Sequence, residues 1–243
     1  MESNEQIIVG LDIGTTKIAC LVGKKNEYGK LELLGMGKAE SVGVRRGVVS
    51  HITPAVEAIR KAVEKAGLNS GCEIKVVNVG IAGQHIKSLQ HRGVITLDNL
   101  EDEISMKDVD ALIQDMHKLV LPPGESIIHV LPQDFIVDNE SGIKDPIGMS
   151  GIRLEANFHI ITGLVTAIQN IFKCVQKSDL EIADLTLEPL ASAASVLSDE
   201  EREAGVVLVD IGGGTTDVAI FQDGIIRHTS VIPFGGNIIT DDI

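Results

Sequence analysis

The chain has 243 residues, of which 44% are hydrophobic; that suffices for a packed core and excludes a disordered chain, and the length suggests one or two domains. Its 21 basic and 35 acidic residues leave a net charge of −14, which argues against whole-chain nucleic-acid binding because phosphate neutralisation needs a basic surface. With no Trp and one Tyr, Tyr28, stacking platforms for single strands are missing.

Cys20, Cys72 and Cys174 are widely spaced and form no CxxC pair. They read as buried thiols of a reducing compartment, with neither a disulfide framework nor a zinc site. Acidic and polar residues follow Met1, so no signal peptide is visible, and no apolar run reaches the ~18 residues of a membrane span. The expectation is a soluble, cytoplasmic chain.

The first predicted strand, 7–13, reaches Asp12, turns through Gly14, Thr15, Thr16 and Lys17, and re-enters a strand at 17–23. A third strand is predicted at 31–37. Residues 41–50 are rich in Gly and Val and carry Arg45 and Arg46, by default a solvated basic pair. Thr53 and Pro54 predict a helix start, with Thr as N-cap and Pro at the first helical position. Ala55, Val56, Ile59, Ala62, Val63 and Ala66 keep helical spacing, and Gly67 is the expected stop. A strand at 74–81, of the kind a parallel sheet buries, completes a β-β-β-α-β order.

The chain then leaves that pattern. A strand is predicted at 93–97, followed by a solvated acidic turn at Glu101, Asp102 and Glu103. A helix after Ser105 places Val109, Leu112, Ile113, Met116, Leu119 and Val120 on one side until Pro122, Pro123 and Gly124 break it. Strands follow at 126–131 and 135–137. Alternation of Leu154, Ala156, Phe158 and Ile160 with Glu155, Asn157 and His159 predicts a half-exposed antiparallel strand. Strands flanking one helix make a small α+β insertion. His85, His129 and His159 lack metal-ligand spacing and read as structural or surface residues. A helix at 165–175, a strand at 182–187 and a small-residue helix at 188–197, able to pack closely on another helix, lead back to a second turn.

That second turn repeats the first. Val206, Val207, Leu208 and Val209 lead to Asp210, then Gly212, Gly213, Gly214, Thr215 and Thr216, and apolar residues resume. Glycines there allow positive φ and let backbone N–H groups approach a phosphate. Threonine hydroxyls add donors, and an Asp at a strand tip can hold a hydrated Mg²⁺. Neither copy is a Walker loop or a dinucleotide fingerprint. One copy alone reads equally well as a glycine-rich hairpin without a ligand. Two copies, headed by residues 12 and 210, point to two related halves. A strand at 225–231 follows, then Phe234, Gly235 and Gly236, and the last residues fall where another helix should start, so the chain reads as the N-terminal part of a longer protein.

The pairing resembles the actin, heat-shock chaperone and sugar-kinase superfamily, in which two facing hairpins clasp a nucleotide's phosphates. The implied fold class is α/β, an actin-like ATPase (ribonuclease H-like) domain. An α+β module directly after the fourth strand resembles the FtsA family of bacterial cell-division actins. So do Gly43-Val44-Arg45-Arg46-Gly47, Gly83-Gln84-His85-Ile86, His129-Val130-Leu131-Pro132-Gln133 and Lys144-Asp145-Pro146-Ile147-Gly148-Met149. The likeness covers residues 6–243. It implies subdomain 1A at 1–83 and 163–203, an inserted SHS2-like 1C subdomain at 84–162, and the start of a truncated subdomain 2A at 204–243.

The same resemblance implies ATP and Mg²⁺ as ligands. Gly14, Thr15, Thr16 and Lys17 match the first phosphate loop, and Gly212, Gly213, Gly214, Thr215 and Thr216 the second. Asp12 and Asp210 match carboxylates that act on Mg²⁺ through water. Glu188 matches the place of a catalytic, water-orienting residue, although a helix-start carboxylate stabilised by the dipole explains it equally. Implied partners are further copies in a filament, later division proteins through 1C, and FtsZ and the membrane through regions beyond this chain; nucleic acid is not among them. The implied place is the cytoplasmic side of the membrane at the division septum, and the implied ATPase activity is slow or absent. Two other readings are a PilM-type pilus-assembly actin and a sugar or acetate kinase of the same superfamily.

Overall fold

The computed structural model describes residues 7–97 and 103–243. Strands β1 (Ile7–Ile13), β2 (Lys17–Lys25) and β3 (Leu31–Glu40) form an antiparallel meander. The two-residue strands β4 (Val44–Arg45) and β5 (Val48–Val49) then pair into a hairpin. Its tip residues Arg46 and Gly47 are both left-handed, at φ 50° and 73°, as a tight hairpin turn requires.

Helix α1 spans Ile52–Ser70, so two sequence expectations are corrected. His51, not Thr53, is the N-cap, and Thr53 and Pro54 lie inside the first turn, where a missing N–H costs nothing. Gly67 does not stop the helix. Gly71 does, at φ 69°, with its N–H donating to the Gly67 carbonyl at 2.8 Å. Packing carries the helix past Gly67: α1 lies so close on β3 that a Cβ at Gly37 would meet the Ala62 carbonyl, and one at Gly35 the backbone of Ser70.

Strand β6 (Val76–Ile81) runs parallel to β1. The inserted module follows: β7 (Lys87–Thr96), α2 (Met106–Met116), β8 (Glu125–Val137), β9 (Glu140–Ile143) and β10 (Arg153–Leu164). They make an antiparallel sheet in the order β7-β10-β8-β9, with α2 on one face. Helix α2 starts at a Ser105/Asp108 capping box and ends at Met116, so Leu119 and Val120 lie beyond it. The expected strands at 126–131 and 135–137 are one strand. Pro132 is accommodated opposite Phe158 where the register shifts, as a bulge allows. Glu101 and Asp102 lie outside the described residues, while Glu103 bridges to Ser150.

The expected half-exposed strand at 154–161 is also corrected: β10 is buried on both faces. Leu154, Ala156, Phe158 and Ile160 face α2, while Glu155 and His159 are 3% and 1% exposed. A polar residue survives such burial only with partners. Glu155 pairs with Arg92, at 2.6 Å, and with Arg153. His159 is hydrogen-bonded to Gln90 and Thr229.

The chain continues through α3 (Val165–Lys177), β11 (Glu181–Leu187), α4 (Glu188–Val196) and α5 (Asp199–Ala204). A second meander follows, β12 (Val206–Ile211), β13 (Thr216–Gln222) and β14 (Ile225–Ile232), before the short helix α6 (Gly236–Asp241). The main sheet runs β11-β6-β1-β2-β3, and β12-β13-β14 forms a sheet of its own. Val9, Leu11 and Ile13 on β1, with Ile18, Cys20 and Val22 on β2, bury the face that α1 and α3 cover. Helix α4 packs its small residue Ala193 against Ala219 and Phe221 of β13, on strands and not on a helix. Val207, Val209 and Ile211 of the edge strand β12 stay exposed.

Candidate functional site

The two Asp-headed turns are built alike. In the first, Asp12 pairs with Ala19 across the ladder, and the Gly14 N–H donates to the Lys17 carbonyl at 3.1 Å. In the second, Asp210 pairs with Asp217, and the Gly212 N–H donates to the Thr215 carbonyl at 2.9 Å. The leading glycines are needed for room and not for a left-handed backbone. A Cβ on Gly14 or Gly212 would sit 3.0 or 3.2 Å from that carbonyl, and among the turn glycines 14, 212, 213 and 214 none has positive φ. The positive-φ expectation is corrected accordingly.

The turns face and touch one another. A Cβ on Gly214 would lie 2.8 Å from Thr15 Oγ1. The β4–β5 hairpin closes one side, with the Gly47 N–H donating to Thr15 Oγ1 at 3.2 Å. On the other side the Gly236 and Asn237 N–H groups donate to the carbonyls of Gly212 and Gly213, at 2.9 and 3.0 Å. Gly14, Thr15, Thr16, Lys17, Gly212, Gly213, Gly214 and Thr215 thus line a single cavity of about 380 Å³, together with Asp12, Asp210, Glu188 and Asp217. Thr216 is not in this lining; its hydroxyl donates to the Phe234 carbonyl at 2.8 Å. A second cavity of about 390 Å³ shares Asp12, Glu188 and Asp210 and extends along β1, β6 and α4.

Four carboxylates converge where the cavities meet. Glu188, at the start of α4, is pushed up to about 8 by burial and by the charges of Asp12, Asp217 and Asp210. Burial and Asp210 also raise Asp12, against the pull of Lys17. Asp217 is pushed up to about 6, mainly by burial, and its Oδ1 is buried without a hydrogen-bond partner. Ser192, one helical turn after Glu188, donates to Asp210 Oδ2 at 2.9 Å. The site therefore combines backbone and hydroxyl donors and Lys17 with a cluster of four carboxylates. That arrangement suits an anionic ligand carried with a cation.

Asp217 and Ser192 were missed in the sequence. Asp217 had a signal: it shares the buried face of β13 with Ala219 and Phe221, where a carboxylate has no structural reason to be. Among the described residues no three His, Cys, Asp or Glu side chains sit close enough to hold one metal ion directly. His85 is buried with neither ring nitrogen bonded, and the His129 ring accepts the Leu187 N–H. Cys20 and Cys174 are buried and reduced, and Cys72 is half-buried.

Comparison with known proteins adds an independent line. Residues 83–162 match a family model described as the SHS2 domain inserted in FTSA, and residues 207–243 match a model described as cell division protein FtsA. The chain is 46% identical to cell division protein FtsA of Pseudomonas aeruginosa, over 98% of this chain and 57% of that protein. It is 44% identical to the protein of the same name from Neisseria meningitidis, over 100% of this chain and 58% of that one. The chain therefore spans little more than half the length of these relatives. Among solved structures, a PilM–PilN type IV pilus biogenesis complex matches 96% of this chain and 63% of its own with a TM-score of 0.70 at 12% identity. An ethanolamine utilization protein EutJ from Carboxydothermus hydrogenoformans matches with a TM-score of 0.54 at 18% identity, over 97% of this chain and 54% of its own. These likenesses are of fold alone: α/β, an actin-like ATPase fold carrying an inserted α+β module.

Proposed function

From the membership of this chain in the FtsA family, we propose that it is the ATP-binding part of an actin-like cell-division protein. The observation that carries this reading is the meeting of the turns headed by Asp12 and Asp210 around one polar cavity. Gly14, Thr15, Thr16 and Lys17 hold phosphate from one side, and Gly212, Gly213, Gly214 and Thr215 from the other. Main-chain N–H groups and hydroxyls act as donors, and the Lys17 ammonium adds charge.

Asp12 and Asp210 would hold a hydrated Mg²⁺. The fit rests on the crowding of Asp12, Glu188, Asp210 and Asp217 around one cavity, where burial and neighbouring carboxylates raise Asp12, Glu188 and Asp217, and on the unpartnered Asp217 Oδ1. The ion supplies positive charge that offsets the phosphates and these carboxylates together. Glu188 faces the same space and orients a water. Turnover is slow or absent, and the role is mainly that of a scaffold.

The subdomain reading stays as residues 1–83 and 163–203 for 1A, 84–162 for 1C and 204–243 for the start of 2A. The whole protein polymerises, tethers the FtsZ ring to the cytoplasmic membrane at the septum, and recruits later division proteins through the inserted module. Equilibrium binding of a fluorescent ATP analogue, with and without Mg²⁺, tests the ligand part. D12N and D210N should each abolish the Mg²⁺-dependent increment in affinity; an increment unchanged in both variants would remove the metal from these carboxylates.

A further inference from the structure

The inserted sheet reaches the start of α4 through a hydrogen bond from the residue before Glu188, beside an apolar cluster that Leu131 and Leu190 share. On its outer side, β11, the edge strand of the main sheet, meets β8 of the insert, and the Leu187 N–H donates to His129 Nε2 at 3.0 Å. Leu187 is fully buried and is the N-cap of α4; the next residue is Glu188.

Two of the other N-caps, those of α2 and α5, show what this bond stands in for. At α2 the Ser105 N–H donates to Asp108 Oδ2 at 2.8 Å, and at α5 the Ser198 N–H donates to Glu201 Oε2 at 2.9 Å. In both, the third helical residue accepts the N-cap N–H, the reciprocal half of a capping box. In α4 that position is Leu190, which has no acceptor, and the N-cap Leu187 has no capping side chain. His129, 58 residues earlier in the chain, supplies the acceptor from another sheet.

We propose that His129 is a positioning residue for Glu188, fixing the first turn of α4 by accepting the Leu187 N–H, and thereby couples the insert to the carboxylate cluster. The bond requires a neutral ring with its proton on Nδ1. Burial favours that form, holding the ring below the usual histidine range against the pull of Asp184. Any load that draws β8 away from β11 then moves Glu188 relative to Asp12, Asp210 and Asp217, the charges that face it from β1, β12 and β13. The positioning stands on geometry; its consequence for bound nucleotide rests on the function proposed above.

The test follows Glu188 by carboxyl ¹³C NMR in the whole chain, its signal assigned by its loss in E188Q. In the unmodified chain burial and the neighbouring carboxylates should hold the Glu188 midpoint well above the ordinary carboxylate range. In H129F, which keeps a ring but no acceptor, the midpoint should fall by at least about one unit as the carboxylate leaves its buried place, and H129Q, whose amide oxygen can accept, should restore it. A folded H129F with an unmoved midpoint, or an H129Q that restores nothing, overturns the proposal. If H129F does not fold, the ¹⁵N shifts of the unmodified ring decide: an unprotonated Nε2 supports the proposal and a protonated one overturns it. ATP affinity is measured in parallel on the unmodified chain by calorimetry. Absence of binding there would overturn the nucleotide reading alone, because the Glu188 titration needs no nucleotide.

Discussion

Gly213 lies directly against Thr16: a Cβ at position 213 would sit 1.9 Å from Thr16 Oγ1. The contact joins the turns of the two hairpins, so the residue types at 16 and 213 are coupled although 197 positions separate them. G213A should lower the unfolding free energy by about 1–3 kcal/mol, the usual cost of overpacking. T16A/G213A should recover most of that loss, because the colliding oxygen is gone. Thermal unfolding of the four proteins of this cycle gives the coupling energy, and a value near zero would mean the turns are apart in solution.

Glu188 should make the chain less stable as pH rises. Its folded value of about 8 lies above the ordinary value of 4.5, so between these pH values the folded state holds the extra proton and loses stability with each pH step. E188Q should flatten the stability profile between about pH 5 and 8 and be the more stable protein at pH 8, by an amount on the order of 2–4 kcal/mol. Denaturant melts across that range would contradict this by giving parallel profiles.

Asp217 predicts a trade of stability against ligand. Its folded value is about 6 against an ordinary value of 3.8, so the ionised form is destabilising at neutral pH. D217N should stabilise the chain at pH 7 by roughly 1–3 kcal/mol while weakening Mg²⁺-dependent nucleotide affinity at least about tenfold. A variant that is destabilised and still binds normally would make Asp217 a structural residue.

His159 sets an acid limit of the opposite sign. Burial, and next the charge of His228, push it down to about 4 from an ordinary value of 6.5. Its contribution is therefore present above pH 6.5 and lost as pH falls toward 4. H159Q, able to keep partners toward Gln90 and Thr229, should be less acid-sensitive by on the order of 2–3 kcal/mol at pH 4.5. Equal acid midpoints for both proteins would count against it.

What the sequence disclosed and what it hid follow one physical line. The paired turns were legible because Asp, Gly and Thr recur at matched spacing, and a turn is a local structure. Asp217 was overlooked because its counterpart in the first copy is Ala19, so matching the copies drew attention away from it. The end of α1 was misplaced at Gly67 because contacts with Gly35 and Gly37 of β3 carry the helix on, and those glycines lie 30 or more residues away. The burial of Glu155 and His159 needed knowledge of what covers the second face of β10. The His129–Leu187 bond needed the docking of two sheets, which no periodicity encodes.

The central claim is that both turns hold one ligand, and amide NMR of the ¹⁵N-labelled chain under titration with Mg·ATP tests it most directly. The account predicts that the amides of Gly14, Thr15, Thr16 and Lys17 and those of Gly212, Gly213, Gly214 and Thr215 shift together with one dissociation constant, while adenosine alone moves neither set. Shifts confined to one turn, two separate constants, or an equal response to adenosine would contradict it.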